Sequence, residues 1–267
     1  MPAISVETRA WLRTIGRPGP ERWVWLVAAL GWVVLTAPLW GHLLGWHPSV
    51  DEHHTGATSP AGMPTDMPMT ATAGPSWLYE LGRHLLMWTA MVLATMLPLV
   101  AWNLRQVGLR SPRTRRTIAT VEVAVGWIAI WSAAGVVLSA AAIMAMQTSF
   151  SAYAVGASVA VAVVWQFTAV RRVAVARCHR TFAPPLGPTA RRACLRFGGT
   201  LGSDCVLSCW AAMAVMTAAG HQLAVVLPVA WLSWRDRRRP HDRPGTWVSV
   251  AVLGLVGVVA VVVPVVW

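Results

Sequence analysis

Cys205, Cys209, Met213 and Met216 recur within one apolar stretch, Asp204 to Met216, whose only other strongly reactive group is the Asp204 carboxylate. At about 100° per residue these four sulfurs fall within an arc of roughly 80°, so one helical face carries a ladder of soft donors. Thiolates and thioethers select Cu(I) over harder cations, whereas zinc or an iron-sulfur cluster usually draws on more cysteines in one place. Cysteine and methionine also fill helix interfaces without any metal, so the rest of the chain has to decide.

Further donors lie elsewhere. His84, Met87 and Met91 are spaced i, i+3 and i+7 and share a helical face, with Met96 off that stripe and Pro98 set to kink the helix. Counted from the helix ends at about 1.5 Å per residue, Met87 should lie level with Cys209 and Met91 level with Cys205. Between about residues 46 and 76 runs a Pro-, Gly-, Ser- and Thr-rich loop that is unlikely to pack a core of its own. It holds His47, His53, His54, Met63, Met67 and Met69 beside Asp51, Glu52 and Asp66. Imidazoles with carboxylates suit Cu(II), while the Met-Pro-Thr-Asp-Met-Pro-Met run offers thioethers for Cu(I). Cys178 and Cys194 sit among arginines, which raise the thiolate fraction, and are expected to be solvated in an inner loop, outside the core site.

The elements that would position these groups are membrane helices. The chain is 56% hydrophobic and 12% charged. Seven apolar runs stand out, at about 23 to 45, 77 to 103, 117 to 146, 152 to 170, 198 to 219, 221 to 234 and 246 to 267. The formal charge of +12 comes from 22 basic residues, all arginine. With the N-terminus in the cytoplasm, every arginine except Arg83 falls on an inner segment, which is the positive-inside pattern. The charge is therefore assigned to membrane orientation and anionic lipid headgroups, with no nucleic acid as partner. Many of the 17 tryptophans lie near segment ends, as an interfacial belt requires.

The expected architecture is an all-α polytopic membrane helical bundle of about seven transmembrane helices, N-terminus cytoplasmic and C-terminus outside. Residues 1–22 form a basic cytoplasmic segment and 23–267 a single transmembrane domain, with the flexible outer His/Met loop at about 46–76. The first apolar run, without a small-residue cleavage site after it, reads as a retained anchor. Glu122 is expected to pair with an inner arginine such as Arg116, and Asp204 to act beside Cys205 as a hydrogen-bond acceptor or proton acceptor.

The run from Met87 to Pro98, Gly126-Trp127-Ile128-Ala129-Ile130-Trp131 with Gly135, and Gly198 and Gly202 leading into Cys205-Val206-Leu207-Ser208-Cys209-Trp210 together resemble a bacterial family of predicted metal-binding integral membrane proteins. Some of its members carry the label copper chaperone. The similarity extends from about Trp77 to Arg235. The family's cysteine-rich helix often reads Cys-x-Gly-Cys-Cys-Trp; here Leu207 replaces the glycine and Ser208 a cysteine, and Leu201 stands where a histidine is expected. Met91 and Met96 keep two of four core methionines, Ala174 replaces the first of two cysteines before the cysteine-rich helix, and Cys178 matches the second. The resemblance implies a multi-pass protein of the bacterial inner membrane that binds metal.

Three functions follow from these residues. The first is a copper-handling chaperone, acceptor or passive conduit that captures copper in the outer loop and holds Cu(I) between sulfurs of the bundle, without enzymatic activity. No Walker A sequence or phosphorylation loop points to a pump. The second is an accessory subunit of a larger membrane complex such as a copper-dependent oxidase or monooxygenase, packing through small residues at Ala133, Ala134, Gly135, Ala140, Ala141 and Ala142. The third, a membrane thiol oxidoreductase using Cys205 and Cys209, would require a quinone partner.

Overall fold

The computed structural model describes residues 19–43, 76–146, 151–238 and 243–262, and among them there are helices and turns but no strands. In chain order the helices are α1 (Arg22–Leu43), α2 (Ser76–Met91), α3 (Leu97–Arg110), α4 (Arg116–Met146), α5 (Ser151–Gln166), α6 (Ala169–Arg177), α7 (Ala190–Ala218), α8 (Leu223–Arg238) and α9 (Arg243–Val262). The outer-loop residues His47, His53, His54, Met63, Met67 and Met69 lie outside the described residues.

Three stretches are long and apolar enough to cross a membrane: Leu78–Arg110, Arg113–Met144 and Ala190–Ala218. A fourth arises if α5 and α6, bent by 73° across a short break, count as one span; the apolar parts of α1 and α9 are shorter. Leu26, Val137, Met144, Val164 and Leu255 are exposed on the outside of the bundle. A water-soluble monomer rarely exposes apolar surface on this scale, so the chain is a membrane protein.

α2 and α3 form one rod, interrupted by a π turn at Val92–Met96. Its cause is local. In a regular helix the Pro98 ring would clash with the carbonyl of Ala94, and Pro98 has no N–H to donate. The wider turn, in which the Leu97 N–H reaches back to the Val92 carbonyl, absorbs the misfit and rotates the residues that follow. The side of the rod that Met96 occupies is therefore not the side a straight helix would assign to it.

α4 and α7 form the closest pair. A Cβ at Gly198 would lie 2.1 Å from the Val123 carbonyl oxygen, one at Gly126 2.3 Å from the Leu195 carbonyl oxygen, and one at Gly202 3.0 Å from the Trp127 carbonyl oxygen. Gly198 and Gly202 are four apart on α7 and face α4, so the two backbones touch with no side chain between them. Gly135 packs on the Trp88 ring within the bundle and is not available to a partner helix; Ala133, Ala140 and Ala141 of the same expected small-residue set are exposed.

The segment between α5 and the cysteine-rich helix departs most from the sequence reading. Residues 169–177 are a helix rather than loop, started by Thr168, whose hydroxyl accepts from the Arg171 N–H at 3.3 Å. α7 begins at Ala190 rather than near 198. Arginine lowers the hydropathy of both stretches without opposing helix formation, since it is a good helix former on an exposed face. Cys178 and Cys194 are consequently buried, not solvated. Glu122 does find an arginine, but it is Arg115 at 2.8 Å rather than Arg116.

Candidate metal site

Cys178 caps the C-terminus of α6, with its N–H donating to the Ala174 carbonyl at 3.0 Å. Two neighbours hold the turn that follows. The Asn103 side-chain amide of α3 donates to the carbonyls of Cys178 (3.2 Å) and Arg180 (2.9 Å), and the His179 ring lies between the carbonyls of Val175 (3.0 Å) and Arg237 (2.6 Å). This pins Cys178 against α7, where it lines the same cavity wall as Cys205.

Cys205 is the hub. Its sulfur is approached by Cys178, by Cys209 one turn along α7, and by the Arg237 guanidinium of α8, whose Nη2 donates to it at 3.5 Å. Arg237 is itself anchored, since its Nη1 donates to the Leu99 carbonyl at 3.0 Å. The Cys209 thiol and the Ser208 hydroxyl both donate to the Cys205 carbonyl, at 2.9 and 2.7 Å. All four cysteines are free thiols.

Cys178, Cys205, Cys209 and Met96 line one cavity of about 40 Å³, whose wall also carries Arg237 and the Arg171–Asp236 ion pair. A single water needs about 10–15 Å³ of such space, so there is room for an ion or a very few waters. Among the described residues no group of three or more His, Cys, Asp or Glu side chains forms a closed metal cage. The arrangement instead offers two adjacent cysteine sulfurs, with a third thiol and a thioether at the same wall. Such a donor set fits a soft ion of low coordination number, and Arg237 would offset the negative charge of a bis-thiolate complex.

The remaining candidates are placed elsewhere. Met213 and Met216 are fully buried further along α7 and do not line the cavity. Neither does Met87, which is partly buried, nor Met91, which is fully buried; the thioether that joins the cysteines is Met96. The expected pairing of Met87 and Met91 with Cys209 and Cys205 assumed a straight helix, and the π turn at Val92–Met96 removes that assumption. His84 is buried against His221 rather than at the cysteine cavity. Asp204 faces Arg177 at 4.0 Å and does not line the cavity.

A family model described as PpoB2, copper chaperone, matches residues 85–262, well over half of the chain. The chain belongs to the PpoB2 copper chaperone family. The matched span contains every residue lining the cavity, from Met96 to Arg237. No curated protein and no solved structure matches the chain. Membership in a copper chaperone family associates the chain with copper, which agrees with the soft donors at the cavity.

Sequence reasoning undervalued Cys178 and did not find Asn103 or Arg237. The resemblance did match Cys178 and Met96 to family positions, and both line the cavity. A helical reading of residues 169–177, with Thr168 as its cap, would have removed Cys178 from solvent. Arg237 is 32 residues from Cys205 along the chain, and no local pattern connects them.

Proposed function

We propose that this membrane protein carries copper, holding Cu(I) between the sulfurs of Cys178 and Cys205, with Cys209 and Met96 as exchange ligands. The observation that supports this is the convergence of three thiols and a thioether, drawn from the π turn, the end of α6 and α7, on one ion-sized cavity. Each exchange between neighbouring sulfurs would break one bond as another forms, so the ion could move without an energy source. The protein is in this reading a carrier rather than an enzyme.

In the same reading the helical segments make seven passes, with the arginine-rich ends in the cytoplasm of a bacterial inner membrane and the His/Met loop outside. Copper gathered by His47, His53, His54, Met63, Met67 and Met69 would enter at the outer end. Deleting residues 50–70 should slow acquisition from dilute copper but spare ions already in the bundle. A second reading, an accessory subunit, draws on α4, whose exposed face carries Ala133, Ala140 and Ala141 where a partner helix could approach closely. Copurification of a second membrane chain through that face would favour it.

The test is copper analysis of the purified protein under reductant, with and without a Cu(I) chelator. Retention that is lost in Cys205→Ser supports the carrier. Retention unchanged in Cys205→Ser refutes the cavity as its site.

A further inference from the structure

Beyond the C-terminal end of α7, away from the cysteine cavity at its middle, His84 of α2 faces His221 in the turn before α8, with ring centres 6.3 Å apart. Both histidines are buried, each 5% exposed. Both ring nitrogens of His84 and Nε2 of His221 have no hydrogen-bond partner among the described residues. Gln222, the next residue, is equally buried, and both of its amide atoms are also without a partner. Buried polar groups in folded proteins are nearly always paired, so a cluster this poor in partners needs a reason.

The backbone supplies a second, independent sign. α7 ends in a two-bond Schellman turn: the His221 N–H donates to the Met216 carbonyl at 2.8 Å and the Gly220 N–H to the Thr217 carbonyl at 3.1 Å. Gly220 takes the left-handed conformation that such a turn requires, at φ 64°. His221 follows at φ 60°, the one non-glycine residue with positive φ among those described. That conformation costs a non-glycine residue about 1–2 kcal/mol, and here it accompanies an imidazole buried opposite His84.

We infer that His84 and His221 form a second metal site, a two-coordinate bis-imidazole site for Cu(I), separate from the cysteine cavity and nearer the outer end of the bundle. The spacing fits. A metal–imidazole bond of about 2.0 Å, extended by about 1.1 Å from ring nitrogen to ring centre, puts two imidazoles on opposite sides of one ion about 6.2 Å apart. Glu80 and Arg83, the charged groups beside the pair, bind each other at 3.3 Å and present little net charge to it. Imidazole binds a metal through a ring-nitrogen lone pair of its neutral form, and unpartnered ring nitrogens on both residues are free to give one. Neutral ligands leave the complex with the single positive charge of the ion and release no proton. From His221 to Cys205 is about 24 Å along α7, and the fully buried Met213 and Met216 lie between them. His84 immediately precedes the span matched by the copper chaperone family, and His221 lies within it. The choice of copper as the ion rests on the proposed function; the two-imidazole geometry does not.

Full-length protein in detergent, loaded under ascorbate with Cu(I) alone, separates the two sites by copper count and by Cu K-edge absorption. The expected wild type shows a nitrogen shell at about 2.0 Å and a sulfur shell at about 2.3 Å. His84→Leu keeps an apolar helix face, and His221→Asn keeps a residue that tolerates the left-handed turn. Each should lose the nitrogen-bound ion and retain the sulfur-bound one, with helicity by circular dichroism unchanged. His84→Met should retain the copper count while one nitrogen scatterer is exchanged for sulfur. The proposal is overturned if the wild type has no nitrogen-bound copper, or if that copper survives both His84→Leu and His221→Asn, which would assign it to the outer-loop histidines. Failure of the cysteine site would show separately, as loss of the sulfur shell from the wild type.

Discussion

Gly198→Ala should loosen the frame that holds Cys205. An added Cβ would sit 2.1 Å from the Val123 carbonyl oxygen, while a comfortable carbon–oxygen approach is about 3.3 Å, so α4 and α7 must part by about 1.2 Å at this level. A gap of that size forfeits roughly half of the dispersion attraction of each contact it opens, and overpacking of this kind costs about 1–3 kcal/mol. Alanine returns up to about 1 kcal/mol through helix propensity, which leaves a net loss of up to about 2 kcal/mol when that return is complete, and a deficit of about 1–3 kcal/mol against an alanine that meets no clash. Gly199→Ala is the control. A Cβ there meets nothing within 4 Å, so it receives the propensity gain alone. Unfolding of both variants in mixed detergent micelles, followed by circular dichroism, should place Gly198→Ala below wild type and Gly199→Ala at or above it. Because Trp127 of α4 packs beside Cys205, Gly198→Ala should also lower copper retention. Equal stability of the two variants would refute the claim that backbone contact at Gly198 sets the helix spacing.

Three further outcomes test how the site is built. Asn103→Leu removes the two hydrogen bonds that pin the Cys178 turn and leaves the buried Cys178 carbonyl unpaired; it should cost about 2 kcal/mol and weaken Cu(I) binding in a chelator competition, although Asn103 touches no sulfur. Arg237→Met removes the guanidinium beside Cys205 and should lower Cu(I) affinity by about 10–100-fold in the same competition, as loss of an outer-shell partner does. Met96→Leu preserves size and apolarity but removes the thioether, so copper off-rates should change while the melting temperature stays close to wild type, and Met87→Leu should change neither.

Much of this fold is legible in the sequence because apolar runs of membrane length have few alternatives. The run expected at 117 to 146 is α4 at Arg116–Met146, and the interruption expected at Pro98 is the π turn just before it. The pair Cys205 and Cys209 is legible for a similar reason, since their spacing of four fixes a shared helical face. What periodicity could not supply is tertiary. The turn that carries Cys178 is placed by Asn103 and by the Arg237 carbonyl, each more than 50 residues away in sequence. Met96 is turned to the cysteines in a rod whose register shifts within the π turn, which a count at 100° per residue does not see. His221 is not legible in the sequence, because a histidine beside a glycine in a short turn has no periodicity to mark it as buried, and here the turn buries it.

The central claim is that Cys178, outside the cysteine-rich helix, is a copper ligand equal to Cys205. The most direct measurement is Cu(I) affinity, by competition with a chelator under reductant, for wild type, Cys178→Ser, Cys205→Ser and the double variant. Each single variant should lose more than the 10–100-fold or so typical of an outer-shell partner, and the double variant little more than either, because both remove the same two-sulfur site. Full retention of affinity by Cys178→Ser, with loss confined to Cys205→Ser, would contradict the account.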